Sequence, residues 1–251
     1  VISPFGTLIK TGPSTLTLSG ESRLDLGPTS TFAVTGGTLA LAANVPGIAG
    51  GHLLIGDRSG IDTLRVDRSD QFARDAQTGA ANVAVTLRGG ETGYGVLAFN
   101  GAGGTGLRQD LRSLTIDGKG VIDFAGGEVG YANILVLDEL HLASDANLII
   151  RNWFEFEDHL LVKRSEGSIL GSTYDLTSIS FEGYERGAQL RGWDIHYWEI
   201  IPYGIVPEPT TTGALIGAAG LALWAWRRKP KAPSTAKHNA ALTSARPHAK
   251  R

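Results

Sequence analysis

The opening stretch of this chain changes character at every second position. In TLTLSG, Leu16 and Leu18 share one side of an extended chain, and Thr15, Thr17 and Ser19 share the other. A period of two is the repeat of a strand with one buried face; a helix would space its apolar residues three and four apart. Leu24 and Leu26 keep the period, as do Phe32 and Val34, then Leu39 and Leu41 beyond Gly36-Gly37.

The same form continues through HLLIG, DTLRV, NVAVTLRGG, VLAFNG, SLTIDGKGVIDFAGG, NILVLDELHLA, ANLIIRNW and SISFEGY. Turn residues punctuate these runs roughly every 8 to 15 positions, the rhythm of an all-β chain of short strands. DQFARDAQTGA is the one segment that reads as a short helix or a loop. Similar phrases recur as GTLIK, STLTLSG, GGTLALA and RSLTIDG. Their spacing predicts a β-solenoid with one coil per roughly 20 to 30 residues, each coil too small to bury a core until it stacks on its neighbours. A β-sandwich is the alternative.

At 251 residues the chain has length enough for a sizeable core. It holds no Cys, which excludes disulfides and thiol chemistry and leaves only His and carboxylates as metal ligands. It also holds no Met, so the sequence reads as a fragment or a processed product whose start is missing. Charge divides it sharply. Through Glu208 there are 15 basic and 25 acidic residues; beyond it there are 8 basic and no acidic ones. An acidic body counts against nucleic acid as a partner.

From Thr210 to Trp226 the chain carries no charge. As a helix this run would be about 25 Å long, a slightly short transmembrane span. Trp224 and Trp226 suit a membrane interface, and Arg227, Arg228, Lys229 and Lys231 form a membrane-stop cluster that would hold their end in the cytoplasm. Just before the run stands Val206-Pro207-Glu208-Pro209, where two prolines enforce an extended, accessible backbone. Residues 232–251, rich in Pro, Ser, Ala and Lys, read as a disordered basic tail.

Two resemblances follow from these residues. GTLIKTGPSTLTLSG followed by GGTLAL, within about residues 5–43, resembles the autotransporter-associated β-strand repeat. That resemblance implies a right-handed β-helix over residues 1–205, with degenerate coils and a terminal cap after the one clean repeat. The order V-P-E-P-T, apolar run, Arg cluster over residues 206–231 is similar to the PEP-CTERM sorting signal. It implies an exosortase-type processing enzyme as partner, transient residence in the inner membrane of a Gram-negative bacterium, and delivery to the envelope surface or beyond. The tail after Lys231 departs from that family, whose chains usually stop soon after the cluster.

Catalytic patterns are scarce. There is no G-x-S-x-G, H-E-x-x-H or P-loop motif. His52, His141, His159 and His196 are scattered singly and read as satisfied or exposed rather than as ligands. FEFEDHL places Glu155, Glu157, Asp158 and His159 together, but Phe154 and Phe156 alternate with the acids, so a strand with one solvated acidic face is expected rather than a metal site. SGIDTL resembles half of a calcium-binding nonapeptide, without the neighbouring turn that would share the ion. In RGWDIHYWEIIP a final strand would put Trp193, Ile195 and Tyr197 on one face and Asp194, His196 and Trp198 on the other. Trp193, Tyr197 and Trp198 are the candidate glycan contacts; the plainer role of this strand is to close the end of the solenoid.

The expectation is therefore a non-enzymatic, exported structural or adhesive β-helix with no cofactor and no metal. The alternative is a polysaccharide-binding or polysaccharide-cleaving β-helix that uses the same export route, with extracellular polysaccharide as partner.

Overall fold

The computed structural model describes residues 6–101, 105–125, 132–164 and 176–204. All belong to the first of two compact units, Val1–Val206. The second unit, Pro207–Arg251, lies outside the described residues, and with it the predicted span 210–226 and the tail 232–251. Among the described residues no helix is long and apolar enough to cross a membrane.

The alternating runs become strands, numbered here in chain order. One sheet takes β1 (Thr7–Lys10), β3 (Thr31–Val34), β5 (Gly51–Ile55), β7 (Val83–Arg88), β9 (Arg108–Asp117), β11 (Ile134–Leu142) and β13 (His159–Lys163). The other takes β2 (Thr15–Gly20), β4 (Gly37–Ala43), β6 (Ser59–Val66), β8 (Thr92–Phe99), β10 (Lys119–Asp123), β12 (Asn147–Arg151) and β14 (Ile179–Phe181). Every adjacent pair within these two runs is parallel. Consecutive strands alternate between the sheets, so each coil lays one strand on each face and the next coil stacks upon it. This is the topology of a solenoid, not of a sandwich built from antiparallel hairpins.

The coil period follows the recurrence of the sequence phrases. The shortest coil runs from Thr31 to its partner His52, and the longest from Ser59 to its partner Thr92. Because the strands stack in register, alternation within one strand becomes a column across many. Leu16, Leu39, Leu64, Leu97, Ile122, Ile150 and Phe181 form one such inward column. Phe32, Leu53, Val85, Leu114 and Leu140 face it from the other sheet. A fully buried Leu contributes about 1.5–3 kcal/mol, so the column stabilises coil stacking as well as each coil. Near the far end an aromatic series joins it: Phe99 stacks on Phe124 at 5.0 Å, and Trp153 meets Phe124 and Phe181 edge-on at 5.4 and 5.1 Å.

The turn from the first sheet to the second is tight and rich in glycine. Gly89 shows why: a Cβ there would overlap the Lys119 carbonyl oxygen of the following coil. The return side is wider. There Leu24, Ile48 and Phe72 make isolated parallel bridges, a short third ladder of buried apolar residues. DQFARDAQTGA belongs to this side and is a loop. Phe72 anchors it, and the Asp75 carboxylate caps its turn by accepting from the Gln77 and Thr78 amides at 3.0 and 2.7 Å.

Buried polar side chains connect the coils along the same return side. Gln71 Oε1 accepts from the Ala43 amide at 3.1 Å, and Gln109 Oε1 accepts from the Gln71 amide at 3.0 Å. Asn133 Oδ1 accepts from the Leu107 amide, and Asp158 Oδ1 accepts from the Asn133 amide, each at 3.1 Å. All four side chains are almost inaccessible to water. Each satisfies a backbone donor of the preceding coil where the ladder is interrupted, which is the condition for burying an irregular backbone. Burial pushes the Asp158 carboxyl up from its ordinary value, against the lowering effect of hydrogen bonds from Phe154 and Asn133.

The end of the stack departs from the repeat. β15 (Ala188–Gly192) and β16 (Tyr197–Pro202) form an antiparallel hairpin, and β16 pairs antiparallel with β13. The edge of β13 is thereby covered, as the expected closing strand would do.

Candidate functional site

The outer face of the first sheet, toward its hairpin end, carries a row of paired polar residues. Register sets Asp110, Val136, Leu161, Glu199 and Arg191 side by side in one row across five strands. At one end of the row Asp110 is 7 % exposed, accepts two bonds from Arg108 at 3.1 and 3.2 Å, and pairs with Arg74. A cleft of about 230 Å³ lies along this face, bordered by Arg74, Asp110, Asp138, Lys163 and Tyr197. Asp138 and Lys163 approach to 3.7 Å across it.

At the other end Glu199 is fully buried. Its Oε1 lies 2.6 Å from His159 Nδ1, and its Oε2 accepts from Arg191 Nε and Nη2 at 2.9 and 2.7 Å. Burial by itself would raise this carboxyl, but the His159 and Arg191 hydrogen bonds and charges outweigh it and hold Glu199 below its ordinary value. A paired, buried carboxylate of this kind fixes the positions of its partners. The His159 ring in turn lies 4.5 Å from that of Trp193, and the Arg191 guanidinium lies 6.0 Å from the centre of Phe156.

Two stretches that alternate like strands are interrupted by turns here. In FEFEDHL the backbone turns through 155–157, and β13 begins only at His159. The Asp158 carboxylate draws in the Phe154 amide at 2.8 Å, and Phe156 takes a left-handed φ of 70°. In RGWDIHYWEIIP residues 193–196 form the hairpin tip. Asp194 Oδ1 accepts from the His196 and Tyr197 amides at 2.6 and 2.8 Å. Asp194 thus forms an Asx turn, whereas Asp158 reaches back four residues to the Phe154 amide; in both stretches a short carboxylate replaces a ladder partner and prevails over the alternating pattern.

The three candidate glycan contacts are consequently separated. Trp193 stands at the hairpin tip, 44 % exposed. Tyr197 is half-buried and borders the cleft. Trp198 points to the opposite side of β16 and is covered by the Arg164 guanidinium at 3.8 Å. Phe156, 68 % exposed, escapes the sequence pattern, because alternation places it in a strand. Two of the other histidines pair singly, His52 with Thr86 at 2.8 Å and His141 with Glu139 at 2.9 Å, and His196 sits at the hairpin tip. Among the described residues no group of three or more His, Asp or Glu could hold a metal ion. Ser59–Leu64, the calcium-like phrase, lies within β6.

Val206, Pro207, Glu208 and Pro209 lie outside the described residues, as do Arg227, Arg228, Lys229 and Lys231. β16 ends at Pro202, shortly before Val206 in the sequence. No curated protein and no solved structure matches the chain significantly. Residues 206–229 match the family model of the PEP-CTERM protein-sorting motif, so the segment that follows the β-rich body carries that motif.

Proposed function

We propose that this chain is an exported, non-enzymatic β-solenoid that serves as a spacer or adhesive surface outside the inner membrane. The PEP-CTERM motif carries the reading. It implies export, processing by an exosortase (a membrane enzyme) and delivery to the cell surface or the extracellular space. The chemistry of residues 206–231 supports a temporary anchor: a proline-bounded acid, an uncharged run and a cationic stop follow in order. The body supports a structural role, because parallel coils give length and long flat faces for little sequence. Thr7 pairs with Thr31 and Thr15 with Thr38, so the GTLIKTGPSTLTLSG phrase supplies both strands of one coil. That register supports kinship of the first coils with autotransporter-associated repeats.

Mass spectrometry of the mature C-terminus in the native cell tests this reading. Loss of all peptides beyond the Pro207-Glu208-Pro209 region, with the body recovered outside the inner membrane, is expected. A mature protein that still contains Leu221 to Arg228 would overturn it.

Polysaccharide binding is the second reading, favoured by exposed aromatic rings at the hairpin end. Cleavage of polysaccharide would appear as new reducing ends, and none is expected.

A further inference from the structure

We propose that Phe156 and Trp193 form an aromatic platform that binds a neutral, hydroxyl-rich polysaccharide. The inference deepens the exported reading above and rests on it, because export gives the platform access to extracellular glycan.

Phe156 is the first observation. It is 68 % exposed and holds a φ of 70°, a conformation that glycine or asparagine adopts readily and a bulky side chain resists. The loop does not depend on its ring. Asp158 Oδ2 accepts from the Phe154 amide, and the Phe154 carbonyl accepts from the Glu157 and Asp158 amides at 3.2 and 2.9 Å. A strained aromatic that contributes nothing to the core points to a role at the surface.

Trp193 is the second observation. It stands where β15 gives way to the turn, with Ile195 at the same tip 81 % exposed. Both rings border one ion network. His159 lies beside Trp193 and binds one oxygen of Glu199; Arg191 lies near Phe156 and binds the other. Glu199 therefore couples the mounts of the two rings, and Asp194 caps the turn that presents Trp193. A backbone held this way presents both rings at fixed points, which lowers the ordering cost of stacking on a weakly attractive ligand.

Charge selects the ligand class. Glu155, Glu157 and Asp194 lie in the same loop and turn as the aromatics. Against these three acids stand Arg164, bound to the Tyr197 carbonyl at the base of the hairpin, and Arg191, whose charge is already matched by Glu199. An acidic field disfavours anionic lipid and acidic polysaccharide. A neutral sugar ring offers an apolar C–H face for the aromatics and carries no charge for the acidic loop to repel.

The test uses the purified full chain and its Phe156→Gly and Trp193→Ala variants. Each is sedimented with microcrystalline cellulose, mannan gel, calcium alginate gel and phosphatidylglycerol vesicles. Binding to a neutral glycan is expected, insensitive to salt and weakened at least tenfold in either variant. Phe156→Gly should unfold at the same or a higher temperature, since the strain is relieved, so its lost binding would not reflect misfolding. Failure to bind either neutral glycan, binding unchanged in both variants, or preference for alginate or vesicles would each overturn the proposal. C-terminal processing is read separately by mass spectrometry, so failure here leaves the sorting reading distinguishable.

Discussion

Glu199 Oε1 and His159 Nδ1 lie 2.6 Å apart although 40 residues separate them, and the carboxylate is completely buried. The contact joins the closing hairpin to the last parallel strand of its sheet, with Arg191 completing the group from β15. Removing the carboxylate strands a histidine and an arginine that were placed to meet it. Glu199→Ala is expected to cost about 3 kcal/mol in urea unfolding, the low end for breaking a buried pair, because Arg191 retains some access to water. The same group sets an acid limb. Its folded pKa lies below the ordinary 4.5, so its contribution is complete above that value and is lost as pH falls through the lower folded one.

Asp158 works in the opposite direction. Its carboxyl is raised above 3.8 by burial, so the folded state takes up the proton first and gains relative stability as pH falls through that window. In the wild type this softens the acid limb. Asp158→Asn should make the loss of stability from about pH 6 to about pH 3 steeper than in the wild type, read from denaturant midpoints across pH.

His52 gives a third pH signature. Burial, then the Arg112 and Arg88 charges, lower it from 6.5, so the folded state resists its protonation. Stability should decline as pH falls below 6.5 and level off beneath the folded value. His52→Gln can keep the bond to Thr86 without titrating. It should flatten the stability profile between about pH 7 and about pH 5.

The inward column of the second sheet provides a packing test within a single row. Leu64 is fully buried between neighbours on both sides, whereas Leu16, two coils away, is 41 % exposed. Leu64→Ala is expected to cost about 2–5 kcal/mol and Leu16→Ala under about 1 kcal/mol, measured by urea unfolding. Equal losses would contradict the stacking register.

Processing has its own variant. Glu208→Ala changes the acid of the P-E-P motif and should leave precursor in the inner-membrane fraction, with the Leu221–Arg228 peptide still detectable by mass spectrometry. Normal release of the body would show that the acid is dispensable.

Much of this protein was legible in the order of its residues. Leu16 and Leu18, Phe32 and Val34, Leu39 and Leu41 announce strands with one buried side, and the recurring G-x-L-x-L phrases announce stacked coils of the observed period. The sorting motif at 206–229 is likewise a local pattern, read without any fold. These features are written in neighbouring residues, where strand periodicity and composition act.

Tertiary structure decided the rest. Only stacking chose which backbone amide Gln71, Gln109, Asn133 and Asp158 would satisfy, because each partner lies on another coil. Only the folded hairpin brought Glu199 to His159 and set Trp193 and Phe156 around the same ions. Alternation misplaced both aromatics, since it treats every residue of a run as extended. The carboxylates of Asp158 and Asp194 accept nearby amides instead, and a local hydrogen bond in hand prevails over a strand that has no partner in the sheet.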